Sequence, residues 1–337
     1  MALTLADLPH DYGDVRGEVI AARSGCALFD FSFLARAKIE GRHALTVLEA
    51  FTGRSLAPLE PGKIRYALRV EPGGMVAADL TIWRTGEATY ELMSGRHEDV
   101  RDLLNRSASD SRVVDLSAST TVLALQGPAS LRALHDLGDL RAVAGLQYFG
   151  FCETSLAGVP CAIGRLGYTG EQGFEIILAR EHRARLWTEF ARRASPAGFA
   201  AADILRIEAG FVLFTNEFAI PVSPSEAGLG RFFDGTEAAY SPPVRLVCFR
   251  AASDMKSCLW RPRSGLTRPD RAGVIAVTSA CESVAANGVL GLGYVAKGDA
   301  SGEGSLRDPA EFFHDVHLVS LPFYDARKRR PRQVWAQ

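Results

Sequence analysis

Apolar and polar positions follow two rhythms along this chain. Residues 43–51 place Ala44, Leu45, Val47, Leu48 and Phe51 at helical spacing, which predicts a helix. The runs Tyr66-Ala67-Leu68-Arg69-Val70 and Leu80-Thr81-Ile82-Trp83 flank Glu71-Pro72-Gly73-Gly74, the pattern of a hairpin with a Gly-rich turn. Residues 90–93 predict a further strand, and residues 98–104 a helix with Val100, Leu103 and Leu104 on one side. Residues 121–125 predict a strand, and residues 129–137 a helix opened by Pro128. Residues 186–194 predict another helix, and Ile176-Ile177-Leu178 reads as a strand. Short strands mixed with helices, without regular βα alternation, predict an α+β fold rather than a doubly wound sheet.

Beyond Asp234 the texture changes. Ser241-Pro242-Pro243 reads as a linker or sharp turn. Residues 244–249, 273–277, 289–295 and 316–321 are short apolar runs between turn residues, which predict a small all-β barrel or sandwich. The expected division is therefore an α+β module over residues 1–240 and a β-barrel domain over residues 241–330. Neither a dinucleotide-type glycine fingerprint nor a P-loop is present in the sequence.

Composition narrows the classes. With 337 residues, 47% of them hydrophobic, the chain can bury a sizeable core. Its formal charge of −1 gives no global signal for nucleic acid or a membrane surface. No apolar stretch approaches the ~18–20 residues of a spanning helix. The first eight residues lack a cationic region followed by an apolar one, so no signal peptide is expected. The six cysteines form no C-x-x-C pair and no close His/Cys grouping, so no metal site is expected. Most of them sit in apolar strings, which suggests free thiols in a reducing, cytoplasmic compartment. A basic cluster, Arg327-Lys328-Arg329-Arg330 and Arg332, reads either as a solvated tail or as a clamp for an anionic substrate tail.

The richest ten residues are Gly167-Tyr168-Thr169-Gly170-Glu171-Gln172-Gly173-Phe174-Glu175-Ile176. Three glycines in seven positions make a tight, irregular turn, and the apolar run after it puts Glu175 at a strand entrance. A buried carboxylate there can accept two parallel N–H donors from one flat heterocycle, and charge-assisted bidentate bonds are strong. A pterin edge offers such a pair. The alternative is a structural glycine turn with solvated glutamates.

This stretch resembles the hallmark of the glycine cleavage T-protein (aminomethyltransferase) superfamily. Other blocks follow in that family's order. Cys26-Ala27-Leu28-Phe29-Asp30-Phe31-Ser32 is similar to its "GLFDxSH", and Leu125-Gln126-Gly127-Pro128 to its "QGP". Ala202-Asp203-Ile204-Leu205-Arg206-Ile207-Glu208-Ala209-Gly210 resembles "RDxLRLEAG". Asn216-Glu217 and residues 223–230 resemble "GQE…SPLEAGLG", and Leu321-Pro322-Phe323-Tyr324 resembles "xPFY". The resemblance implies two interleaved ferredoxin-like α+β halves and a C-terminal small β-barrel, with a folate site in the central opening. It also implies a tetrahydrofolate-dependent one-carbon transferase. Its donor would be an aminomethyl-lipoyl carrier resembling the glycine cleavage H-protein, or else a small O-, S- or N-methyl compound. A non-catalytic folate-binding protein is the third reading.

Site residues come with the resemblance. Gly73-Gly74-Met75-Val76-Ala77-Ala78-Asp79-Leu80 looks like "GGxxDDL", which makes Asp79 the catalytic candidate, with Ala78 replacing the first aspartate. A carboxylate near a tertiary amine can stabilise its developing charge or accept its proton. Tyr66 falls where the family lines the folate cavity with an aromatic ring. Trp83, four residues beyond Asp79, shares its strand face. Tyr168 and Glu175 come from the glycine motif, and Arg206 from "LRLEAG". Arg206 could instead form an ion pair with Glu208 or Glu226. Ser94 replaces an asparagine that the family holds near the folate. The family's opening Gly-Trp-x-x-Pro-type segment has no counterpart before residues 11–16, so that wall of the cavity is expected to be built differently.

Overall fold

The structure, a computed structural model, describes residues 4–106, 110–237, 239–241, 243–261, 265–298 and 305–335. Its contacts define two compact units. The first runs up to Ala67, then over Asp79–Ala202, and resumes at Arg329. The second comprises Leu68–Ala78 and Asp203–Lys328.

Eleven strands precede residue 200 among the described residues. They are β1 (Ala27–Asp30), β2 (Ala35–Glu40), β3 (Ile64–Val70), β4 (Val76–Gly86), β5 (Thr89–Ser94), β6 (Arg112–Asp115), β7 (Thr120–Gln126), β8 (Phe151–Leu156), β9 (Val159–Gly164), β10 (Gly173–Ala179) and β11 (Ser195–Pro196). Six of them form a sheet in the order β11-β1-β7-β10-β9-β8, with β10 antiparallel to both neighbours. A second sheet runs β3-β4-β5-β2-β6.

Alternation along β10 decides how the first sheet sits. Phe174, Ile176 and Leu178 face a core with Leu123, Leu125, Cys161, Ile163, Leu186 and Phe190. Successive strand residues point to opposite faces, so Glu175 and Ile177 lie on the other side. Each of those core side chains contributes roughly 1.5–3 kcal/mol when fully buried. A one-residue slip would drive Glu175 into that core, so the register is firmly set. The second sheet packs its own core. Ala44, Leu48 and Phe51 of helix Ala44–Thr52 meet Ile39, Ile82, Leu92, Val100 and Leu103.

The hairpin expected around Glu71–Gly74 is present, closed by Gly74 N donating to Glu71 O at 2.8 Å. The helix expected over residues 129–137 is reduced to Ser130–Ala133. Asp136 adopts a left-handed φ of 64°, and the chain turns so that Ala157 N donates to Leu137 O at 2.6 Å. Tertiary pairing overrides the helical spacing there. The helix expected over residues 186–194 lies earlier, at Arg183–Ala191.

The second unit holds β12 (Val244–Ser253), β13 (Leu259–Trp260), β14 (Ile275–Ser283), β15 (Gly288–Ala296) and β16 (Phe313–Val319). They pair antiparallel in the order β13-β14-β15-β12-β16. This five-stranded sheet occupies the segment expected to form a small barrel. Its core gathers Val247, Phe249, Val277, Val295, Phe313 and Val316. Of the expected linker, Pro242 lies outside the described residues. Among the described residues no helix is long and apolar enough to cross a membrane. All six cysteines are free thiols.

Candidate functional site

The glycine turn is built around one buried amide. Gln126, at the end of β7, donates through Nε2 to Leu166 O at 3.2 Å and accepts at Oε1 from Thr169 Oγ1 at 2.8 Å. A Cβ at Gly167 or Gly173 would overlap that amide, so the spacing of these glycines follows from the glutamine they enclose. Gly127 N donates to Gln172 O at 2.7 Å, which ties the turn to β7 a second time. Arg23, near the end of helix Val15–Ser24, donates to Thr169 O at 2.8 Å and to Glu171 at 3.1 Å.

The two carboxylates of the motif have opposite fates. Glu171 is buried between two arginines, Arg23 and Arg330 at 3.4 Å. Glu175, 6% exposed, is reached by no hydrogen bond or ion pair among the described residues. Burial pushes its carboxyl up from 4.5 to about 7. Its strand position explains the setting. Glu175 pairs with Ala124 on β7 and Gly164 on β9, so its face is flanked by small residues. Gly164 pairs in turn with Phe151 on β8.

Trp83 covers this row. Its ring rests on Gly164, where a Cβ would collide with it, and lies 5.1 Å from the Phe151 ring. Its indole donates to Thr81 Oγ1 at 3.0 Å, and the side chain is 1% exposed. The structure thus brings Trp83 to Glu175's side of the sheet as a buried wall. Tyr148 also approaches. Burial, opposed by Arg332, pushes its phenol up to about 12, and the Glu175 charge adds to the rise.

Asp79 is half-buried on β4, with its side chain on the same strand face as Trp83. The next residue, Leu80, pairs with Ser94 on β5, so Ser94 shares the face of Leu80 and points away from the side on which Asp79 and Trp83 lie. Ser94 is buried and engaged internally. Its hydroxyl donates to buried Asp99 at 2.6 Å and accepts from Arg96 N at 3.1 Å, where helix His97–Leu104 begins. Tyr66 is half-buried on β3, and its carbonyl accepts from Arg54. Tyr168 is half-buried within the glycine turn.

Arg206, in the second unit, is engaged by the protein itself. It is fully buried in helix Phe199–Glu208. It donates to Asp203 at 2.6 Å, Glu217 at 2.7 Å, Ser279 Oγ at 2.7 Å and Phe211 O at 3.1 Å. Its ion pairs run to Asp203 and Glu217. Glu217 also accepts from Leu213 N and Thr278 Oγ1. The ladder of β14 shifts register between Val277 and Ser279, and the irregularity lets the consecutive residues Thr278 and Ser279 both reach Glu217. Asp203 takes a second arginine, Arg261, at 2.9 Å, so two carboxylates balance two guanidinium groups.

Residues 6–236 match the GCVT N-terminal domain. The chain belongs to this family. It is 31% identical to an aminomethyltransferase of Streptomyces coelicolor, over 96% of this chain and 92% of that protein. It is 34% identical to an aminomethyltransferase of Geobacillus kaustophilus, over 66% of this chain and 64% of that one. The fold of this GCVT-family chain is also that of the glycine cleavage system aminomethyltransferase T of Bartonella henselae. The TM-score there is 0.75, at 24% identity, over 95% and 92% of the two chains.

Four residues near Glu175 were not singled out in the sequence. Gln126 lay inside the "QGP" block, but only the fold reveals what its amide holds. Phe151 and Gly164 sit at the ends of a hairpin whose Ala157-Gly158 turn was the available signal. Tyr148 carried none.

Proposed function

We propose that this chain binds tetrahydrofolate through Glu175 and transfers a one-carbon unit to it as an aminomethyltransferase. The observation that carries the reading is Glu175 itself, a buried carboxylate with no protein partner among the described residues and a pKa raised to about 7. An unpaired buried carboxylate is costly, and a ligand offering two parallel N–H donors would offset the cost. The residues fit such a guest in chemistry, because Glu175 offers two acceptor oxygens beside small residues on both adjoining strands and an indole wall, Trp83, on the same side. Relatives that bear the name aminomethyltransferase over nearly the whole chain support the activity. The cytoplasm, the interleaved ferredoxin-like halves and the closed small barrel belong to the same proposal.

In this reading Glu175 orients the pterin. Trp83 and Tyr148 exclude water from that carboxylate, and Tyr66 and Tyr168 offer flat surfaces to the ligand. Tetrahydrofolate, when bound, supplies the amine nitrogens that take up the one-carbon unit, with ammonia and a dihydrolipoyl carrier as the other products. Asp79 accepts the proton released from the attacking amine or stabilises its positive charge. Ser94, bonded to Asp99 on the opposite face of the sheet, anchors the strand beside Asp79 rather than the ligand. Arg206 acts through its internal network. The donor is a lipoyl carrier of the H-protein kind.

The test is calorimetry with tetrahydrofolate. Wild type should bind, and Glu175→Ala should lose ~10-fold or more in affinity, because the ligand's donors would be left unpaired at ~1–3 kcal/mol. Equal affinities would remove Glu175 from the site.

A further inference from the structure

The basic end of the chain is not a solvated tail. Arg165, the residue after Gly164 on the loop leaving β9, donates to Gln333 O and, at 3.4 Å, to Pro331 O. Gln172 of the glycine turn donates to Gln333 O at 2.8 Å. Arg330 pairs with buried Glu171 of the same turn at 3.4 Å. Arg332 lies 5.6 Å from the Tyr148 ring centroid. Trp335 is 8% exposed, stacks on Phe174 at 5.0 Å and 21°, and carries the Arg165 guanidinium over its ring, 5.3 Å from the centroid. It belongs to the core formed by β7, β9 and β10.

These contacts converge on one residue without touching it. Phe174 precedes Glu175 in β10. Glu171 and Gln172 form the turn that leads to it. Arg165 follows Gly164, its partner on β9. Tyr148 senses its charge. We propose that residues 329–335 are a strap that fixes the orientation of Glu175 by fastening each of these neighbours, with Trp335 and Arg330 as positioning residues. The proposal rests on the folate reading of Glu175. Coupling of this kind is reciprocal: if the docked strap favours the ligand, the ligand favours the docked strap.

The test compares the full chain with a truncation ending at Lys328 and with Trp335→Ala, Trp335→Phe and Arg330→Ala. Tetrahydrofolate affinity is measured by calorimetry, and amide hydrogen exchange is followed with and without ligand. The truncation and Trp335→Ala should lose ~10-fold or more in affinity, within the usual range of coupling between sites. Arg330→Ala should lose less, and Trp335→Phe, which keeps a ring on Phe174, should stay near wild type. Without ligand, the amides of residues 167–175 should exchange ~10-fold or more faster in the truncated chain, while those of β12, β14 and β15 stay unchanged. Added tetrahydrofolate should slow exchange across residues 329–335 in wild type. Unchanged exchange over residues 167–175, faster exchange spread over both units, or unchanged affinity in the truncated chain would each overturn the strap. Failure of wild type to bind tetrahydrofolate would overturn the folate reading instead, and the ligand-free exchange would still decide whether the strap orders the turn.

Discussion

At the scale of single residues, Glu175 and Arg206 show two ways of burying a charge. Glu175 is raised from 4.5 to about 7 by burial, so its protonated form suits the folded chain better. A raised pKa means stability that is fully present below 4.5 and lost as pH climbs through about 7. The difference is worth roughly 3 kcal/mol. Glu175→Gln cannot ionise, so its stability advantage over wild type should grow between pH 4.5 and 7 and level off above. Denaturant midpoints across that range check this, and a flat difference would mean the carboxylate is not desolvated. Arg206 is buried with compensation instead, between Asp203 and Glu217. Arg206→Ala would leave Asp203 to Arg261 and take the guanidinium from buried Glu217, and breaking such a pair typically costs ~3–5 kcal/mol. A denaturation midpoint near wild type would show that Arg206 is free to serve a ligand after all. The sequence put this arginine forward as a folate contact through the family resemblance, but it could not name the carboxylates that hold it. Asp203 lies one helical turn away and Glu217 eleven residues on, and only the second unit's packing brings Ser279 to them.

At the scale of elements, the site depends on a row that crosses β10, β9 and β8. Glu175, Gly164 and Phe151 stand side by side, and Trp83 from β4 closes over them. Periodicity found β4 because its alternation is long, over Val76–Gly86. It missed β8 and β9, which are six residues each; β8 carries Glu153, Thr154 and Ser155 in its middle, and β9 carries Pro160, a residue disfavoured in strands. It also overextended the helix after Pro128, where pairing with the β8–β9 turn wins. The row makes a sharp test. Gly164→Ala would push a methyl group into the Trp83 ring, which is buried and packed against Phe151. Overpacking of this kind costs ~1–3 kcal/mol. The variant should be destabilised by that amount and should bind tetrahydrofolate more weakly, while Gly73→Ala, with open space around it, should change neither. A Gly164→Ala protein with unaltered melting and affinity would separate Trp83 from the site.

For the whole molecule, sequence motifs outran sequence periodicity. The ordered blocks from Cys26 to Tyr324 carried the family assignment, which the domain match and the full-length relatives bear out. The same blocks are silent about the donor, because a fold and a ligand anchor do not fix chemistry. The departures lie on that side: Ala78 beside Asp79, and Ser94 committed to Asp99 rather than held open. Net charge gives no help, since −1 over the chain provides no long-range field for or against a carrier protein. Turnover decides it. With tetrahydrofolate and an aminomethyl-lipoyl carrier, the chain should release ammonia in step with formation of the one-carbon folate, and small O-, S- and N-methyl compounds should yield no methylated folate. Asp79→Asn should cut the carrier-dependent rate by ~10²-fold or more, the usual scale of general acid–base catalysis, with much less change in folate affinity. Parallel losses in rate and affinity would make Asp79 a binding residue. Transfer from a methyl compound in place of the carrier would keep Glu175 as the anchor and assign the rebuilt surroundings of Asp79 to demethylation.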